Sequence, residues 1–394
     1  MIRIKKWYFA STILLTFNLL LIVEIIAQPF QRGLQVGAAN TQEYLPLLQE
    51  KEVGLVVNQT SLVGGTHLVD TLVASGVTIK RIFAPEHGFR GDRDAGEEFG
   101  TERDRKTGLP LVSLYGKNYK PKDRHIRDLD YVIFDIQDVG VRCYTYISTL
   151  HYVMQACAEN GIPLIVLDRP NPNVHYVDGP VLDLEFKSFV GVHPIPLVYG
   201  LTIGELATMV NEENWLGNDL KCDLTVISVS NYTRNTSYSL PVKPSPNLPD
   251  DQSIAFYPSL VLFEGTPISV GRGTTQPFQM IGYPNLIFGD FTFTPKSIEG
   301  MSKYPPYEEE LCYGIDLRTS TPPNAVDLSY LIGFYKRSNP SWEYFNNFFD
   351  LLAGTDQLRT AIQAGQSAEE ISKSWDENLQ AYQLIRSKYL IYPE

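Results

Sequence analysis

The chain has 394 residues, enough for two domains, because a single hydrophobic core rarely grows beyond about 250–300 residues. Its 43% hydrophobic content excludes global disorder. The 33 basic and 45 acidic residues give a net charge of -12, which argues against binding nucleic acid or an anionic membrane surface, since both need a basic face.

Residues 1–27 carry the pattern of an export signal. Three basic residues precede an apolar run from Trp7 to Val23, and Ala27 closes the segment. The alternative is a retained anchor, because a run of roughly 17 apolar residues is just long enough to span a bilayer. Both alternatives place the folded part outside the cytoplasm. We therefore expect an exported protein, periplasmic or secreted, with no stable membrane span after signal cleavage.

From about residue 50 the sequence alternates strand-like and helix-like segments. The predicted strands are 53–58, 79–84, 111–114, 131–136, 163–167 and 224–229. The predicted helices are 68–74, 144–159 and 202–215. This alternation is typical of a doubly wound, mostly parallel α/β sheet.

The segment 241–250 contains four prolines, which excludes a helix or a central strand there. It is either a domain junction or a substrate-lining loop. We predict one domain over 28–245 and a second, smaller one over 246–394. Near the C-terminus, Ser367 and Glu370 have capping-box spacing, and apolar residues at helical spacing follow as far as Ile385, which predicts one long structural helix.

Three acidic residues lie at the ends of predicted strands: Glu86, Asp135 and Asp168. The carboxyl ends of parallel strands line one crevice, which is the usual ligand site of an open sheet. Asp138 lies three residues beyond Asp135 in the same loop. A single acid at a strand end is more often a helix cap or turn residue, but three such loops favour a ligand site.

An arginine follows each of these strand ends, namely Arg90, Arg142 and Arg169. The guanidinium group pairs bidentately with carboxylates, so a substrate that carries a carboxylate would suit them. A second cluster, rich in glycine, proline and aromatic residues, surrounds Glu264 and Arg272. With the 245–249 segment, it is predicted to form the second wall of a cleft.

Glycoside hydrolysis is one reaction that such a pocket could perform, because it needs a carboxylic acid and usually a second carboxylate. Glu86 is the preferred acid, since it lies between the apolar Phe83 and Phe89, and apolar surroundings favour a protonated carboxyl. His87 beside it could hold a sugar hydroxyl or tune Glu86. The high aromatic content of 12% suits stacking on sugars or on bases.

A metal-assisted hydrolase is the main chemical alternative. Its candidate ligands are His67, His87, Asp135, Asp138 and Asp168. No pair of them has the spacing of a known zinc motif, and the four cysteines are expected to be buried thiols. Motifs for nicotinamide or nucleotide binding are also missing from the sequence.

Six strings in order resemble a family of exo-β-N-acetylmuramidases of the NamZ type. They are APEHGFRG, FDIQDVGVRCYTY, VLDRPNP, LVYGLTIGELA, SPNLP and FEGTPISVGRGT. The resemblance implies a Rossmann-like N-terminal domain, a smaller α/β C-terminal domain and an active site in the cleft between them. It also implies release of N-acetylmuramic acid from the non-reducing end of peptidoglycan-derived glycans, without a cofactor.

The resemblance further implies that Glu86 is the catalytic carboxylate. The residues that would shape the sugar site are Asp135, Glu264, Arg90, Arg142, Tyr144, Arg169, Asn171, Asn247 and Arg272. The second catalytic group stays open among Asp135, Asp138, Glu264 and a tyrosine. His87, Asp138 and Asp168 are further candidates for substrate binding. A protein that binds cell-wall fragments without cleaving them is the alternative function, because a fold alone does not fix an activity.

Overall fold

The computed structural model describes residues 33–86, 88–90, 102–116 and 118–394. The predicted export segment 1–27 lies outside these residues. Within the described part of the chain, no helix combines the length and the apolar character needed to cross a membrane.

In the described residues, strands form a large sheet and a two-stranded sheet in the first half of the chain and a three-stranded sheet in the second. In chain order the strands are β1 (Glu52–Val57), β2 (Leu62–Val63), β3 (Thr66–His67), β4 (Thr78–Ala84), β5 (Glu102–Arg103), β6 (Pro110–Ser113), β7 (Tyr131–Asp135), β8 (Leu164–Leu167), β9 (Leu224–Ile227), β10 (Met280–Tyr283), β11 (Phe291–Phe293) and β12 (Cys312–Asp316).

Helices follow most strands of the first half and dominate the C-terminal part. In chain order they are α1 (Thr41–Tyr44), α2 (Leu68–Ala74), α3 (Asp123–Ile126), α4 (Tyr146–Asn160), α5 (Ile203–Glu212), α6 (Asp251–Leu260), α7 (Ser329–Arg337), α8 (Asn347–Ala353), α9 (Gln357–Gln363), α10 (Ala368–Lys373) and α11 (Asp376–Arg386). Short 3₁₀ turns add 37–39, 45–48, 184–186, 261–265 and 286–288.

The large sheet has the strand order β5-β6-β4-β1-β7-β8-β9, in which only the edge strand β5 is antiparallel. From β1 the chain builds outward through β4 to β6, then returns to β7 on the other side of β1 and continues to β9. This is the doubly wound order of a Rossmann-like sheet. The predicted fold class is therefore confirmed.

Local sequence explains why these elements form where they do. Five of the six β1 residues are buried, as expected of a strand covered on both faces by helices. Helix α4 ends at Gly161, whose φ of 65° favours a residue without a side chain. Helix α5 begins with a capping box, in which Thr202 and Glu205 each accept a hydrogen bond from the other's backbone N–H. The helices and strands predicted for the first half are all present.

The second half contains an antiparallel three-stranded sheet, β10-β12-β11, surrounded by helices. The predicted single tail helix is instead two helices, α10 and α11. The Ser367–Glu370 capping box forms as predicted. The helix breaks at Ser374, because its backbone N–H and its hydroxyl both bond to the carbonyl of Ile371, three residues back.

Residues Gln35–Glu394 form one compact unit. One buried apolar cluster contains Val56 and Phe134 from the large sheet together with Phe349 and Tyr382 from the C-terminal helices. The two parts of the chain therefore share a continuous core. The domain boundary at 245/246 stays a prediction.

Candidate active site

A cavity of about 620 Å³ lies where the loops after β4 and β7 face the second half of the chain. Ligand sites of doubly wound folds are expected at these carboxyl ends. The residues that line it are Glu86, Tyr115, Tyr119, Cys143, Tyr144, Thr145, Tyr146, Ser188, Phe189, Val190, Ser245, Asn247, Leu248, Tyr257, Glu264, Arg272, Phe278, Phe348 and Leu351.

Glu86 is presented by a tight turn directly after β4. The Gly88 N–H donates to the Pro85 carbonyl at 3.1 Å, and Gly88 has a φ of 77°. Glu86 itself is half-buried at the cavity wall. The turn thus fixes the backbone that carries the predicted catalytic carboxylate. His87 lies outside the described residues, so its predicted role stays a prediction.

Two buried tyrosines of the cavity lining, Tyr146 and Tyr257, are close to its acidic residues. The Tyr146 hydroxyl is 3.5 Å from the Glu86 carbonyl oxygen. Burial raises the pKa of Tyr146, and the charge of Glu86 raises it further. Burial raises the pKa of Tyr257 well above its usual range, with Glu264 and Glu86 acting in the same direction. Both hydroxyls are therefore neutral hydrogen-bond donors at neutral pH.

Glu264 and Arg272 form an ion pair in the cavity wall. The Arg272 Nη2 lies 2.5 Å from Glu264 Oε1, and its Nε donates to the same oxygen at 2.6 Å. Burial alone would lower the pKa of Arg272, but Glu264 and the nearby Glu86 and Tyr257 more than offset this, so the pKa is raised. The guanidinium is a permanent positive charge at the cavity surface.

Local backbone geometry explains how this pair is presented. Glu264 lies in the 3₁₀ turn Val261–Gly265, which directly continues helix α6. Gly271 and Gly273 flank Arg272 with φ values of 80° and 84°. A Cβ atom would approach Met280 to 2.6 Å at Gly271 and Pro305 to 2.6 Å at Gly273. The glycine-rich string therefore permits a turn that pushes Arg272 into the cavity.

Asn247 and Tyr144 complete the predicted residues that line the cavity. The Asn247 Nδ2 donates to the Met301 carbonyl at 2.9 Å, whereas its Oδ1 has no hydrogen-bond partner among the described residues. A buried acceptor without a partner is costly, so a ligand N–H or O–H would be favourable there. Tyr144 packs edge-on against Tyr146, with ring centroids 4.9 Å apart. The proline-rich segment is thus a cavity-lining loop.

Asp135 and Arg169 are not part of the cavity lining, although Asp135 ends β7 and Arg169 lies just after the neighbouring strand β8. Arg169 donates to both Asp135 carboxylate oxygens, at 2.6 and 2.9 Å, and both side chains are buried. Arg169 also donates to the Leu62 carbonyl at 3.1 Å. This placement does not match the expectation that both side chains contact the sugar. Their polar groups are already bonded to each other and connect the ends of β7 and β8.

Asp138, Asp168 and Asn171 are also buried and engaged within the protein. Asp138 accepts hydrogen bonds from the Tyr199 hydroxyl and the Gly140 N–H. Asp168 accepts from Thr202, Gly204, the Arg169 N–H and the Tyr392 hydroxyl. Asn171 donates to the Leu201 carbonyl and accepts from the Asn173 N–H. These three side chains shape the loops rather than line the cavity.

Arg142 is fully buried behind the cavity wall. Its Nη1 donates to the carbonyls of Pro180 and Ile195, both at 2.8 Å. Its Nη2 donates to the carbonyls of Leu352 and Ala353, at 3.0 and 2.6 Å. The predicted substrate contact does not match this placement, because a side chain that bridges four carbonyls is a structural cross-link.

Arg90 likewise uses its guanidinium within the protein. It donates to both oxygens of Asp104 at 3.2 and 3.0 Å and lies 4.4 Å from the ring centroid of Phe89. Burial alone would raise the pKa of Asp104, but hydrogen bonds from Arg90 and Thr107 lower it to about 2. Of the four arginines predicted for the site, only Arg272 lines the cavity.

Several aromatic residues of the cavity were not predicted from the sequence. Tyr115, Tyr119 and Phe189 lie on one wall, and Phe348 lies on α8. Their only sequence signal is the high overall aromatic content, which does not say where the rings meet. Tyr146 and Ser245 were missed as well, although each lies within a string that was singled out.

The alternative of a metal site has no support in the described part of the chain. No group of three or more His, Cys, Asp or Glu side chains is placed there to hold an ion. The His67 Nε2 bonds to the Asn58 carbonyl at 2.8 Å, and its Nδ1 accepts from the Val69 N–H. Asp135 is paired with Arg169. The four cysteines are buried free thiols, as predicted.

Two sequence profiles match consecutive parts of the chain. Residues 53–252 match the family described as "Exo-beta-N-acetylmuramidase NamZ, N-terminal". Residues 255–392 match "Exo-beta-N-acetylmuramidase NamZ, C-terminal". Glu86 belongs to the first matched part, and Glu264 and Arg272 belong to the second. The cavity therefore draws its charged residues from both.

Three relatives cover most of the chain. The peptidoglycan beta-N-acetylmuramidase NamZ of Bacillus subtilis (strain 168) is 40% identical over 382 residues, which cover 89% of each chain. A DUF1343 family protein from Bacteroides fragilis NCTC 9343 is 45% identical, with a TM-score of 0.85 over 92% of this chain and 100% of that one. A second DUF1343 family protein from the same organism is 29% identical, with a TM-score of 0.78 over 91% and 99% of the two chains.

Proposed function

The chain belongs to the NamZ family of exo-β-N-acetylmuramidases, and on this basis we propose that it is an exo-acting glycoside hydrolase. Its substrates are peptidoglycan-derived glycans, from whose non-reducing end it releases N-acetylmuramic acid. The observation that supports this most directly is a cavity that brings Glu86 together with the Glu264–Arg272 pair. No cofactor is needed for this chemistry, since two carboxylates and water suffice.

Glu86 is the catalytic carboxylate in this proposal, and it protonates the oxygen of the leaving group. The sequence left four possibilities for the second group, and Asp135 and Asp138 do not line the cavity. Glu264 is the best candidate, because Arg272 already supplies a positive partner for its carboxylate. A carboxylate in that state can activate water or stabilise positive charge that develops on the sugar.

Recognition of N-acetylmuramic acid would use the polar groups beside these carboxylates. The Oδ1 of Asn247 can accept a hydrogen bond from the N–H of the substrate's acetamido group. The Nε and Nη2 groups of Arg272 contact the Glu264 carboxylate, so the Nη1 group can donate to the lactyl carboxylate of the substrate. This carboxylate distinguishes N-acetylmuramic acid from N-acetylglucosamine.

Comparison of two chromogenic substrates tests the proposal. We expect the protein to hydrolyse the β-N-acetylmuramoyl glycoside and to be far less active on the β-N-acetylglucosaminyl glycoside. Arg272→Ala should lower kcat/KM on the muramoyl substrate at least ten-fold more than on the other, because a charge-assisted hydrogen bond contributes roughly 1.5–3 kcal/mol. The exposed Arg318→Ala is a matched control. Equal losses on both substrates would contradict the role of Arg272.

The alternative function, binding of cell-wall fragments without cleavage, predicts a different outcome. In that case the wild-type protein would bind muramoyl glycans but turn over neither chromogenic substrate. Calorimetric titration beside the activity assay separates the two functions.

We also propose that the protein is exported and works in the periplasm or outside the cell, where its glycan substrates originate. The support is the basic and apolar pattern of residues 1–27. Cell fractionation followed by N-terminal sequencing tests this. We expect a processed chain outside the cytoplasm, and an unprocessed cytoplasmic chain would contradict it.

A further inference from the structure

The cavity lining contains two chemically different groups of residues. Glu86, Asn247, Glu264 and Arg272 form a polar group. Tyr115, Tyr119 and Phe189 form an aromatic group, together with the apolar Val190. The proposed hydrolysis uses only the polar group.

The rings of Tyr119 and Phe189 are stacked, with centroids 4.0 Å apart and planes 21° apart. Tyr152 lies nearly parallel to both, with centroids 6.3 Å away and interplanar angles of 22° and 12°. Tyr119 and Phe189 are half-buried. Each ring therefore has contacts that fix its plane and still contributes surface to the cavity.

The backbone holds Phe189 rigidly. Ser188 and Gly191 exchange two backbone hydrogen bonds, at 2.9 and 3.1 Å, so Phe189 and Val190 form the tip of a two-residue hairpin. The Ser148 hydroxyl of α4 donates to the Phe189 carbonyl at 2.6 Å. The hairpin tip is thus attached to α4, and the aromatic surface is preorganised for a ligand.

Helix α4 also connects this aromatic surface with Glu86. Its first residue, Tyr146, contacts the Glu86 backbone. Tyr152 lies six residues further along, which corresponds to about 9 Å at 1.5 Å per residue. This spacing suits a ligand of two linked sugar rings, with one ring beside Glu86 and the next beside the aromatic surface.

We propose that Tyr119 and Phe189 form the binding surface for the sugar on the leaving-group side of the scissile bond. This inference rests on the proposed function. In a peptidoglycan glycan, the sugar next to the terminal N-acetylmuramic acid is N-acetylglucosamine. The apolar face of its ring can pack on an aromatic face, which contributes affinity and orients the scissile bond toward Glu86.

Two substrates that differ only in the leaving group test the proposal. The disaccharide N-acetylmuramoyl-β-N-acetylglucosamine carries the second sugar, whereas β-N-acetylmuramoyl fluoride has a leaving group without a ring. Phe189→Leu keeps an apolar side chain at the hairpin tip but removes the aromatic face. We expect it to lower kcat/KM on the disaccharide roughly ten-fold more than on the fluoride.

Two further variants make the result specific. Phe189→Tyr restores an aromatic ring and should retain most of the wild-type preference for the disaccharide. Tyr304→Leu removes a ring that is 81% exposed and outside the cavity lining, and it should leave both substrates unaffected. Thermal unfolding of each variant shows whether it is folded.

The outcomes separate this proposal from the function on which it rests. Equal losses of Phe189→Leu on both substrates, with an active wild type, would overturn the leaving-group site and leave the hydrolase function intact. Failure of the wild type on both substrates would overturn both proposals. A selective loss on the disaccharide that Phe189→Tyr restores would support the site.

Discussion

Arg142 shows how a single residue can matter to the cavity without contacting substrate. Its four carbonyl partners lie in the 180–195 segment and in helix α8. That segment carries the hairpin with Phe189, and α8 carries Phe348 and Leu351. The buried guanidinium therefore joins two walls of the cavity.

Arg142→Met should destabilise the fold strongly. Methionine fills a similar volume but removes a charged donor from four buried carbonyl groups, of which Ile195 keeps the Leu182 N–H and Leu352 keeps the Cys143 thiol. We expect a loss of about 3 kcal/mol or more in the free energy of unfolding, because a hydrogen bond to a charged group contributes roughly 1.5–3 kcal/mol. Denaturant unfolding measures this. Arg318→Met, at a partly exposed ion pair, is the control and should change stability by less than about 1 kcal/mol. A similar small change for Arg142→Met would contradict the cross-link.

Asp138 provides a second test at the residue scale, through pH. Burial raises its pKa to about 6, although hydrogen bonds from Tyr199 and Gly140 oppose the shift, and its Oδ1 has no partner among the described residues. The folded protein therefore keeps a proton that the unfolded chain releases above its ordinary pKa of 3.8. Stability falls as the pH rises between these two values.

Asp138→Asn has no such proton to lose. Relative to the wild type, we expect its free energy of unfolding to rise by about 2 kcal/mol between pH 4 and pH 7, since one pKa unit corresponds to about 1.4 kcal/mol. Denaturant unfolding of both proteins across this range measures the difference. A difference that is constant with pH would show that Asp138 does not titrate as described.

At the scale of elements, the first half was predictable because its signals are local. A continuous apolar run such as that of β1 indicates a two-sided strand, and Gly161 marks the end of α4. The order of the strands also places Glu86 at the carboxyl edge. The break between α10 and α11 was not predictable, because the apolar residues keep their helical spacing on both sides of Ser374. The break coincides with a hydrogen bond from the Ser374 hydroxyl to the Ile371 carbonyl, which competes with the backbone hydrogen bonds of the helix.

The candidate site was predictable only in part, for a physical reason. Strings such as APEHG and the glycine-flanked Arg272 identify the loops that reach the cavity. They do not say which charged side chain faces the cavity and which turns inward. Arg142 and Arg169 face inward because buried partners are available to them, namely four carbonyls and Asp135. Those partners are distant in sequence, so the spacing of residues within a string does not reveal them.

At the scale of the whole molecule, the two halves of the chain are joined around the cavity. The C-terminal Tyr392 donates to Asp168 at the end of β8 and accepts from the Val229 N–H. The Tyr382 hydroxyl donates to the Tyr199 carbonyl at 2.7 Å. A change in either half can therefore alter the relative placement of Glu86 and the Glu264–Arg272 pair. Among the described residues, Arg272 is the only arginine in the cavity lining, so arginines are not concentrated there.

The most direct test of the central claim is the turnover and binding of Glu86→Gln. Glutamine keeps the size of the side chain but cannot donate a proton to the leaving group. We predict that kcat on N-acetylmuramoyl-β-N-acetylglucosamine falls roughly 10²–10⁴-fold, while the Kd of the released sugar measured by calorimetry changes less than about three-fold. Turnover close to the wild-type rate would contradict the assignment of Glu86 as the catalytic acid.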